Sequence, residues 1–218
     1  MEQLKEALSA AGIAYKENEP LCAHCTFRIG GPADLFVLPE NEEQLCAAIR
    51  LAKEAGVKSY LLGNGSNILF EDAGYRGAVI NVSAMKSGIG VIENISFPGK
   101  DPALTYDAVV VGAGQMLSSL CMAALENSLT GLEFAYGIPG TVGGAVYMNA
   151  GAYGGEMKDV LASVRYLTGE GEIVEAPAEQ LDLRYRHSIF EENGGCILSA
   201  KFYLALSLIH ISEPTRRR

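Results

Sequence analysis

The sequence predicts a folded protein of mixed helices and strands that contains a βαβ unit. Residues 33–38 (ADLFVL) form a compact apolar run typical of a buried strand, and residues 57–62 return to the same pattern. Between them, Asn41 is placed to cap a helix whose apolar residues recur at helical spacing until Gly56. A strand, a helix and a strand with short connections predict a βαβ unit with parallel strands.

The remaining elements follow from the same two periodicities. Helical spacing of apolar residues predicts helices at residues 2–11, where Gly12 ends the pattern, and at residues 117–127. Apolar or alternating runs predict strands at residues 68–70, 106–111 and 196–204 and a hairpin over 164–174. Residues 81–98 are interrupted by glycines, and we expect them to be irregular.

Composition and charge narrow the function. The chain has 218 residues, of which 49% are hydrophobic, and a formal net charge of -9 without a Lys/Arg cluster in its body. These features disfavour disorder and an extended nucleic-acid surface. The N-terminus has no signal-peptide pattern, and no apolar run reaches the length of a spanning helix. We therefore expect a cytoplasmic protein without a nucleic-acid or membrane partner.

The five cysteines do not predict a disulfide framework, because they are scattered and odd in number. Cys22 and Cys25 form a CxxC, but there is no second CxxC and there are no clustered histidines. We therefore expect no metal site. Both residues are interpreted as small, half-buried side chains before a strand, and His24 as a structural hydrogen-bonding residue.

Residues 63–67 (GNGSN) follow the second strand of the βαβ unit, and no helix pattern begins after them. A Rossmann or Walker phosphate site requires that helix, so this segment does not fit either motif. Glycines can still let successive backbone N–H groups converge on an anion, and Asn64, Ser66 and Asn67 can donate further hydrogen bonds. The alternative is a simple tight turn between strands.

Residues 137–154 (GIPGTVGGAVYMNAGAYG) form the second glycine-rich segment, with Asn149 as a lone side-chain amide. Two such segments suggest that two stretches of backbone close on one large ligand. The alternative is that these glycines only let strands turn or cross closely.

Four motifs in order then reveal a family resemblance: residues 24–33 (HCTFRIGGPA), 62–67 (LGNGSN), 137–154 and 185–190 (YRHSIF). Over residues 1–204 the chain resembles the UDP-N-acetylenolpyruvoylglucosamine reductase family. The resemblance implies an α+β fold, the FAD-binding domain of the vanillyl-alcohol oxidase type. It implies two α+β subdomains, residues 1–80 and 81–204, with non-covalent FAD between them.

The resemblance also implies the residues of the site. Arg186 matches the catalytic arginine, whose planar guanidinium suits a carboxylate that gains charge, and Tyr185 is a plausible substrate contact. Without the resemblance, residues 183–190 would be interpreted as a strand or loop with solvated charges. The residues implied to contact FAD are Gly63, Asn64, Gly65, Ser66, Asn67, Gly137, Ile138, Pro139, Gly140, Thr141, Gly143, Gly144, Asn149 and Gly151.

The implied reaction is the FAD-dependent reduction of UDP-N-acetylglucosamine enolpyruvate to UDP-N-acetylmuramate, in peptidoglycan precursor synthesis. NADPH is the co-substrate and the UDP-sugar is the small-molecule partner, and no protein partner is implied. Two alternatives remain open. The chain could be another FAD-dependent oxidoreductase on the same scaffold, such as an alcohol or lactone oxidase, or a non-catalytic nucleotide-binding module.

The sequence departs from the family at its C-terminal end. The glycine-serine-phenylalanine-lysine-asparagine-proline stretch that carries the family's proton-donating serine is absent, and so is the stretch near the family's C-terminus that carries a glutamate. We therefore expect an FAD-binding portion that lacks its substrate domain and turns over poorly. Residues 205–218 resemble translated read-through of a sequencing adapter, and we hypothesise that they form a non-native tail.

Overall fold

The computed structural model describes residues 1–85, 88–95 and 104–207. Its helices are α1 (Glu2–Ala10), α2 (Glu42–Glu54), α3 (Leu117–Glu126), α4 (Val142–Tyr147) and α5 (Phe190–Asn193). Its strands are β1 (Ala14–Pro20), β2 (Pro32–Leu38), β3 (Ser59–Leu62), β4 (Tyr75–Asn81), β5 (Ile89–Ile95), β6 (Tyr106–Gly112), β7 (Leu129–Thr130), β8 (Gly151–Ala152), β9 (Gly155–Glu156), β10 (Leu161–Leu167), β11 (Ile173–Pro177) and β12 (Cys196–Leu206). In this part of the chain, no helix is both long and apolar enough to cross a membrane.

The first sheet has the strand order β1-β2-β4-β3. β2 and β3 both pair in parallel with β4, and β1 closes the edge antiparallel to β2. The predicted strand–helix–strand pattern is confirmed as β2, α2 and β3, with β4 inserted between its two strands. Asn41 caps α2 as predicted, since its Oδ1 accepts a hydrogen bond from the N–H of Gln44 at 2.9 Å.

One predicted strand in this region is wrong, and two strands, β4 and β5, were not predicted. Residues 68–70 form no strand, because they connect β3 to β4 and Phe70 packs into a small cluster beneath this loop. β4 itself begins just after Gly74 and buries Ala78 through Ile80. The predicted irregular stretch of residues 81–98 contains β5, whose position at the edge of its sheet tolerates the exposed Gly90.

The second sheet is antiparallel, in the order β11-β10-β12-β6-β5, with β7 also paired to β12. The predicted strand β6, helix α3, hairpin β10–β11 and strand β12 are confirmed. β12 continues beyond residue 204, with Ala205 opposite Tyr106 and Leu206 opposite Leu129. Residues 208–218 of the predicted non-native tail lie outside the described residues, so that hypothesis stays a prediction.

Buried apolar residues connect the two sheets. One core cluster joins α1, α2 and the first sheet to Leu167 of β10 and Leu198 of β12. At the surface, Arg165 of β10 lies 2.6 Å from Glu42 of α2, and Lys53 Nζ donates to the carbonyl oxygen of Gly169 at 2.7 Å. In sequence, the last strand of the first sheet ends at residue 81 and the first strand of the second sheet begins at residue 89. The predicted division into two subdomains, residues 1–80 and 81–204, stays a prediction.

Candidate functional site

The two glycine-rich segments lie against each other. A Cβ added to Gly63 would be 2.6 Å from Thr141 Oγ1, and one added to Gly140 would be 3.3 Å from Ser66 Oγ. These distances are shorter than ordinary van der Waals contact, so each glycine lets a side chain of the other segment approach its backbone closely. The structure therefore brings residues 63–67 and 140–144 together in a loop junction, the name used below for these two ranges.

Polar side chains hold the first of these loops by its carbonyl groups. The Gly63 carbonyl oxygen accepts hydrogen bonds from Asn81 Nδ2 at 3.0 Å and from Ser83 Oγ at 3.1 Å. The Gly65 carbonyl oxygen accepts from the N–H and the Oγ1 of Thr26, at 3.0 and 3.1 Å. In a trans peptide the N–H points opposite to the C=O, so the N–H groups that follow these carbonyls point away from those partners.

Gly65 cannot be replaced without disruption. Its φ is +64°, in the left-handed region that favours glycine, and an added Cβ would collide with the carbonyl oxygen of His24 and lie 2.8 Å from Cys25 Cα. The segment around His24 therefore packs directly on the glycine loop. This contact gives a physical reason why the motifs at residues 24–33 and 62–67 occur in the same chain.

A polar cleft of about 410 Å³ opens between these segments. It is lined by Ala23, His24, Cys25, Thr26, Arg28, Gly63, Asn64, Asn81 and Ser83. Arg28 brings a cationic side chain to this wall of a protein whose net charge is -9. Sequence reasoning assigned no role to Thr26, Arg28, Asn81 or Ser83, although residues 24–33 had been noticed as a motif.

His24 is a structural residue of the cleft wall, as expected. Its ring stacks on the buried ring of Phe36 with the centroids 4.0 Å apart, and its Nε2 lies 2.8 Å from Glu19 Oε1. Lys16, and after it His24, lower the pKa of Glu19 through hydrogen bonds. The neighbouring Cys22 is partly buried and Cys25 is buried, which is slightly deeper than predicted for Cys25.

The second glycine-rich segment is partly helical, which corrects its interpretation as a loop throughout. Thr141 is buried and caps α4 by accepting the N–H of Gly144 at 3.3 Å. The N–H of Val142 donates to the carbonyl oxygen of Gln115 at 2.8 Å. A Cβ added to Gly143 would lie 2.7 Å from Ala113 Cβ, so this glycine lets α4 pack on the end of β6.

Other residues predicted to contact FAD lie outside the loop junction, and their contacts in the protein do not bear on FAD binding. Gly151 lies in the β8–β9 hairpin, where an added Cβ would be 2.7 Å from the carbonyl oxygen of Gly155. Gly137 and Pro139 are exposed, and Ile138 packs against the core of the second sheet. The roles predicted for these residues toward FAD stay predictions.

Asn149 is buried, with 2% of its surface exposed, and its side chain is engaged within the protein. Its Nδ2 donates to Glu156 Oε2 at 2.9 Å and to the carbonyl oxygen of Arg184 at 3.0 Å. Its Oδ1 accepts the N–H of Lys158 at 3.0 Å. The hydrogen bond from Lys158 Nζ, followed by that from Asn149, lowers the pKa of Glu156.

Tyr185 and Arg186 form the tip of a tight turn. The N–H and C=O groups of Arg184 and His187 bond to each other at 3.1 and 3.2 Å across this turn. Arg186 has a φ of +54° and is exposed, and the Tyr185 side chain is 84% exposed. The turn therefore presents a cation and a phenol to solvent. The next residue, Ser188, is fully buried and donates to the carbonyl oxygen of Tyr147 at 2.6 Å.

A cluster of three possible metal ligands lies at the base of the turn, namely Asp182, His187 and Glu192. Arg184 already supplies a positive charge there, because its guanidinium lies 2.6 Å from Asp182 Oδ2 and 2.9 Å from His187 Nε2. We interpret the group as an exposed ion-pair network around Arg184 rather than as a metal centre.

The α+β fold brings two glycine-rich segments into one junction, and no helix begins directly after residues 63–67. The family model described as an FAD binding domain matches residues 33–177. The chain belongs to this family of FAD-binding domains. A VAO-type flavoprotein of Myceliophthora thermophila has the same fold, with a TM-score of 0.60 at 16% identity, over 80% of this chain and 32% of that one.

Within this class, the chain is most informatively compared with the UDP-N-acetylenolpyruvoylglucosamine reductases. It is 44% identical to that of Agathobacter rectalis over 206 residues, which is 94% of this chain and 64% of the relative. The crystal structure of the Thermus caldophilus enzyme superimposes with a TM-score of 0.66 at 30% identity, over 91% of this chain and 64% of that one. The predicted resemblance and the predicted fold are confirmed. The chain spans just under two thirds of the length of these relatives.

Proposed function

We propose that this chain holds FAD non-covalently at the loop junction and forms part of a UDP-N-acetylmuramate dehydrogenase. The reaction is the NADPH-dependent reduction of UDP-N-acetylglucosamine enolpyruvate in peptidoglycan precursor synthesis. The proposal requires a small UDP-sugar and NADPH, and it invokes no nucleic-acid, membrane or protein partner. The observation that carries it is the direct contact of Gly63 with Thr141, supported by the similarity to the reductases.

The junction suits a ligand with phosphate groups. Gly63 and Gly65 let Thr141 and the His24 segment pack against this loop, and their carbonyl groups are already bonded to Asn81, Ser83 and Thr26. The following N–H groups point away from these partners and are suited to anionic oxygens. We assign to FAD the backbone of residues 63–67 and of residues 140–141, since the N–H groups of residues 142–144 are already bonded within the protein. When bound, FAD supplies two-electron transfer between NADPH and the carbon–carbon double bond of the substrate.

Arg186 is the residue assigned to the substrate carboxylate. Reduction of the enolpyruvyl group places negative charge on the carbon next to this carboxylate, and a guanidinium can bond both carboxylate oxygens while that charge develops. The exposed turn presents Arg186 without an ion-pair partner among the described residues. Tyr185, at the same tip, is assigned to substrate binding.

Ser188 is not assigned as the proton donor, although a serine fills that role in the family. It has no exposed surface, and its hydroxyl donates to the carbonyl oxygen of Tyr147. A buried hydroxyl with this bond is suited to holding the turn rather than to protonating a substrate.

Two measurements test the proposal. The purified chain should bind FAD and give the yellow, quenched chromophore of a flavoprotein, and a colourless protein after incubation with FAD would overturn the FAD assignment. A chimera that joins residues 1–204 to the unmatched C-terminal part of the Agathobacter rectalis reductase should oxidise NADPH only when the enolpyruvyl UDP-sugar is present. The same chimera with Arg186→Met should lose this activity while it keeps FAD. Equal rates in both chimeras would refute the role of Arg186.

A further inference from the structure

Asn149 and the Tyr185–Arg186 turn are linked by a buried hydrogen bond. The Asn149 side chain donates to the carbonyl oxygen of Arg184 at 3.0 Å, and this residue begins the turn that presents Arg186. We propose that Asn149 is a positioning residue that fixes this turn, and that its side chain does not bind FAD. The inference rests on the function proposed above, because it acts through Arg186.

The hydrogen-bonding capacity of an asparagine side chain supports this assignment. An amide has two N–H donors and one carbonyl acceptor. Both donors of Asn149 are used, toward Glu156 and the Arg184 carbonyl, and its oxygen accepts from the N–H of Lys158. A flipped amide would place its oxygen against two other oxygens, so only this orientation satisfies the site. No donor remains for the phosphates or the ring of a cofactor.

The backbone at Asn149 favours the same residue for a second reason. Its φ is +39°, a conformation that asparagine, aspartate and glycine adopt more readily than other residues. Its N–H donates to the carbonyl oxygen of Val146 at 3.0 Å and so closes the end of α4. The amide is therefore held in place at the end of a helix that begins, at Thr141, inside the loop junction.

A second buried bond holds the other end of the turn. Ser188 Oγ donates to the carbonyl oxygen of Tyr147 at 2.6 Å, and Tyr147 is the last residue of α4. The turn is thus attached on both sides to α4 and to the residues that follow it. Because α4 starts at the junction and ends at these two attachments, it sets the position of Arg186 relative to the proposed FAD site.

Asn149→Asp keeps the shape, the tolerance of positive φ and the acceptor for Lys158, but it loses both donors and places a second carboxylate beside Glu156. We expect the His187 amide hydrogen to exchange at least about tenfold faster, since loss of the bond to the Arg184 carbonyl alone accounts for about that factor. The FAD dissociation constant should stay within about threefold of that of the unaltered chain, since no FAD contact is removed. Asn127→Asp is the control, because Asn127 Nδ2 also donates to a backbone carbonyl oxygen, at 2.8 Å, at an exposed site on α3.

A double-mutant cycle distinguishes an effect of Asn149 that acts through Arg186 from a general loss of stability. In the FAD-loaded chimera described above, the change in the flavin absorption spectrum on titration with the enolpyruvyl UDP-sugar measures substrate affinity. Asn149→Asp and Arg186→Met should each weaken this affinity, and Asn149→Asp should have no further effect when Arg186→Met is already present. Additive effects in the double variant would overturn the inference. So would a loss of FAD affinity in Asn149→Asp without faster exchange at His187.

Ser188→Ala provides an independent variant if Asn149→Asp does not fold. It removes the second attachment of the turn and should give the same faster exchange with unchanged FAD affinity; normal exchange would contradict the inference. A failure of the proposed function can be distinguished from a failure of the positioning role by the effect of Arg186→Met. If Arg186→Met leaves substrate affinity unchanged, the role of Arg186 is refuted, whereas a normal effect of Arg186→Met with an inert Asn149→Asp refutes only the positioning role.

Discussion

Gly63 and Thr141 are in contact although they belong to different sheets. Gly63 directly follows β3 of the first sheet, and Thr141 caps α4, which packs on the second sheet. A Cβ at Gly63 would be 2.6 Å from Thr141 Oγ1, which is itself the acceptor that caps α4. One glycine therefore lets the two sheets bring their loops together. The relationship explains why glycine is needed at a position whose backbone conformation any residue could adopt.

Gly63→Ala should disturb this contact. The added methyl group collides with Thr141 Oγ1, and we expect a loss of about 1–3 kcal/mol in the free energy of unfolding together with weaker FAD binding. Urea denaturation and FAD titration measure the two effects. Gly88→Ala is the control, because nothing lies within 4 Å of a Cβ added there and it should be nearly neutral. Full FAD affinity in Gly63→Ala would show that the contact does not shape the site.

Adding Thr141→Ala to Gly63→Ala should restore space at the junction. It also removes the hydroxyl that caps α4, a loss of about 1 kcal/mol. We therefore expect the double variant to bind FAD better than Gly63→Ala alone while it remains less stable than the unaltered chain. Additive losses in FAD affinity would mean that the collision is not the cause.

Gly65→Ala should be more damaging than Gly56→Ala. Both glycines have nearly the same left-handed φ, +64° and +63°, so each substitution carries the same backbone strain of about 1–2 kcal/mol. Nothing lies within 4 Å of a Cβ at Gly56, whereas one at Gly65 collides with the carbonyl oxygen of His24. The difference in unfolding free energy between the two variants isolates the collision. Equal losses would mean that the His24 segment moves aside without cost.

The sequence predicted the elements that have a strong periodicity and clear boundaries. α2 has a capping asparagine and a terminal glycine, and β6 is a continuous apolar run, so local signals suffice for both. β4 was missed because glycines interrupt its beginning, and its strand character comes from burial between β2 and β3. The ILF run at residues 68–70 has strand-like composition but no partner strand, and tertiary packing decided against it.

The sequence predicted which segments form the candidate site, but not which residues contact each other within it. The two glycine-rich segments were recognised, and their contact could be anticipated because one ligand would require both. The residues that hold them could not be, since Asn81 and Ser83 reach the Gly63 carbonyl from a different strand. Asn149 illustrates the limit: nothing in its isolation among apolar residues indicated that the fold would place the Arg184 carbonyl beside it.

Asn41→Ala should destabilise the first sheet through α2. The substitution removes the acceptor for the N–H of Gln44, and loss of an N-cap costs about 1 kcal/mol. The midpoint of urea denaturation should fall with an unchanged slope, since the surface exposed on unfolding stays the same. Asn41→Asp keeps the acceptor and should remain close to the unaltered chain. A loss as large in Asn41→Asp would locate the effect outside the cap.

The five free thiols should differ strongly in reactivity. Burial raises the pKa of Cys121 to about 11 and that of Cys196 to about 12, so at pH 8 only about a thousandth or less of either thiol is the reactive thiolate. Cys22 is partly exposed and should be alkylated first by iodoacetamide, as followed by peptide mass spectrometry. Raising the pH from 8 toward 10 should accelerate the reaction of both thiols in parallel, and Cys121 should stay faster than Cys196 because its pKa is lower. In denaturant all five thiols should react alike, and alkylation of Cys196 as fast as Cys22 in native buffer would contradict the buried position of β12.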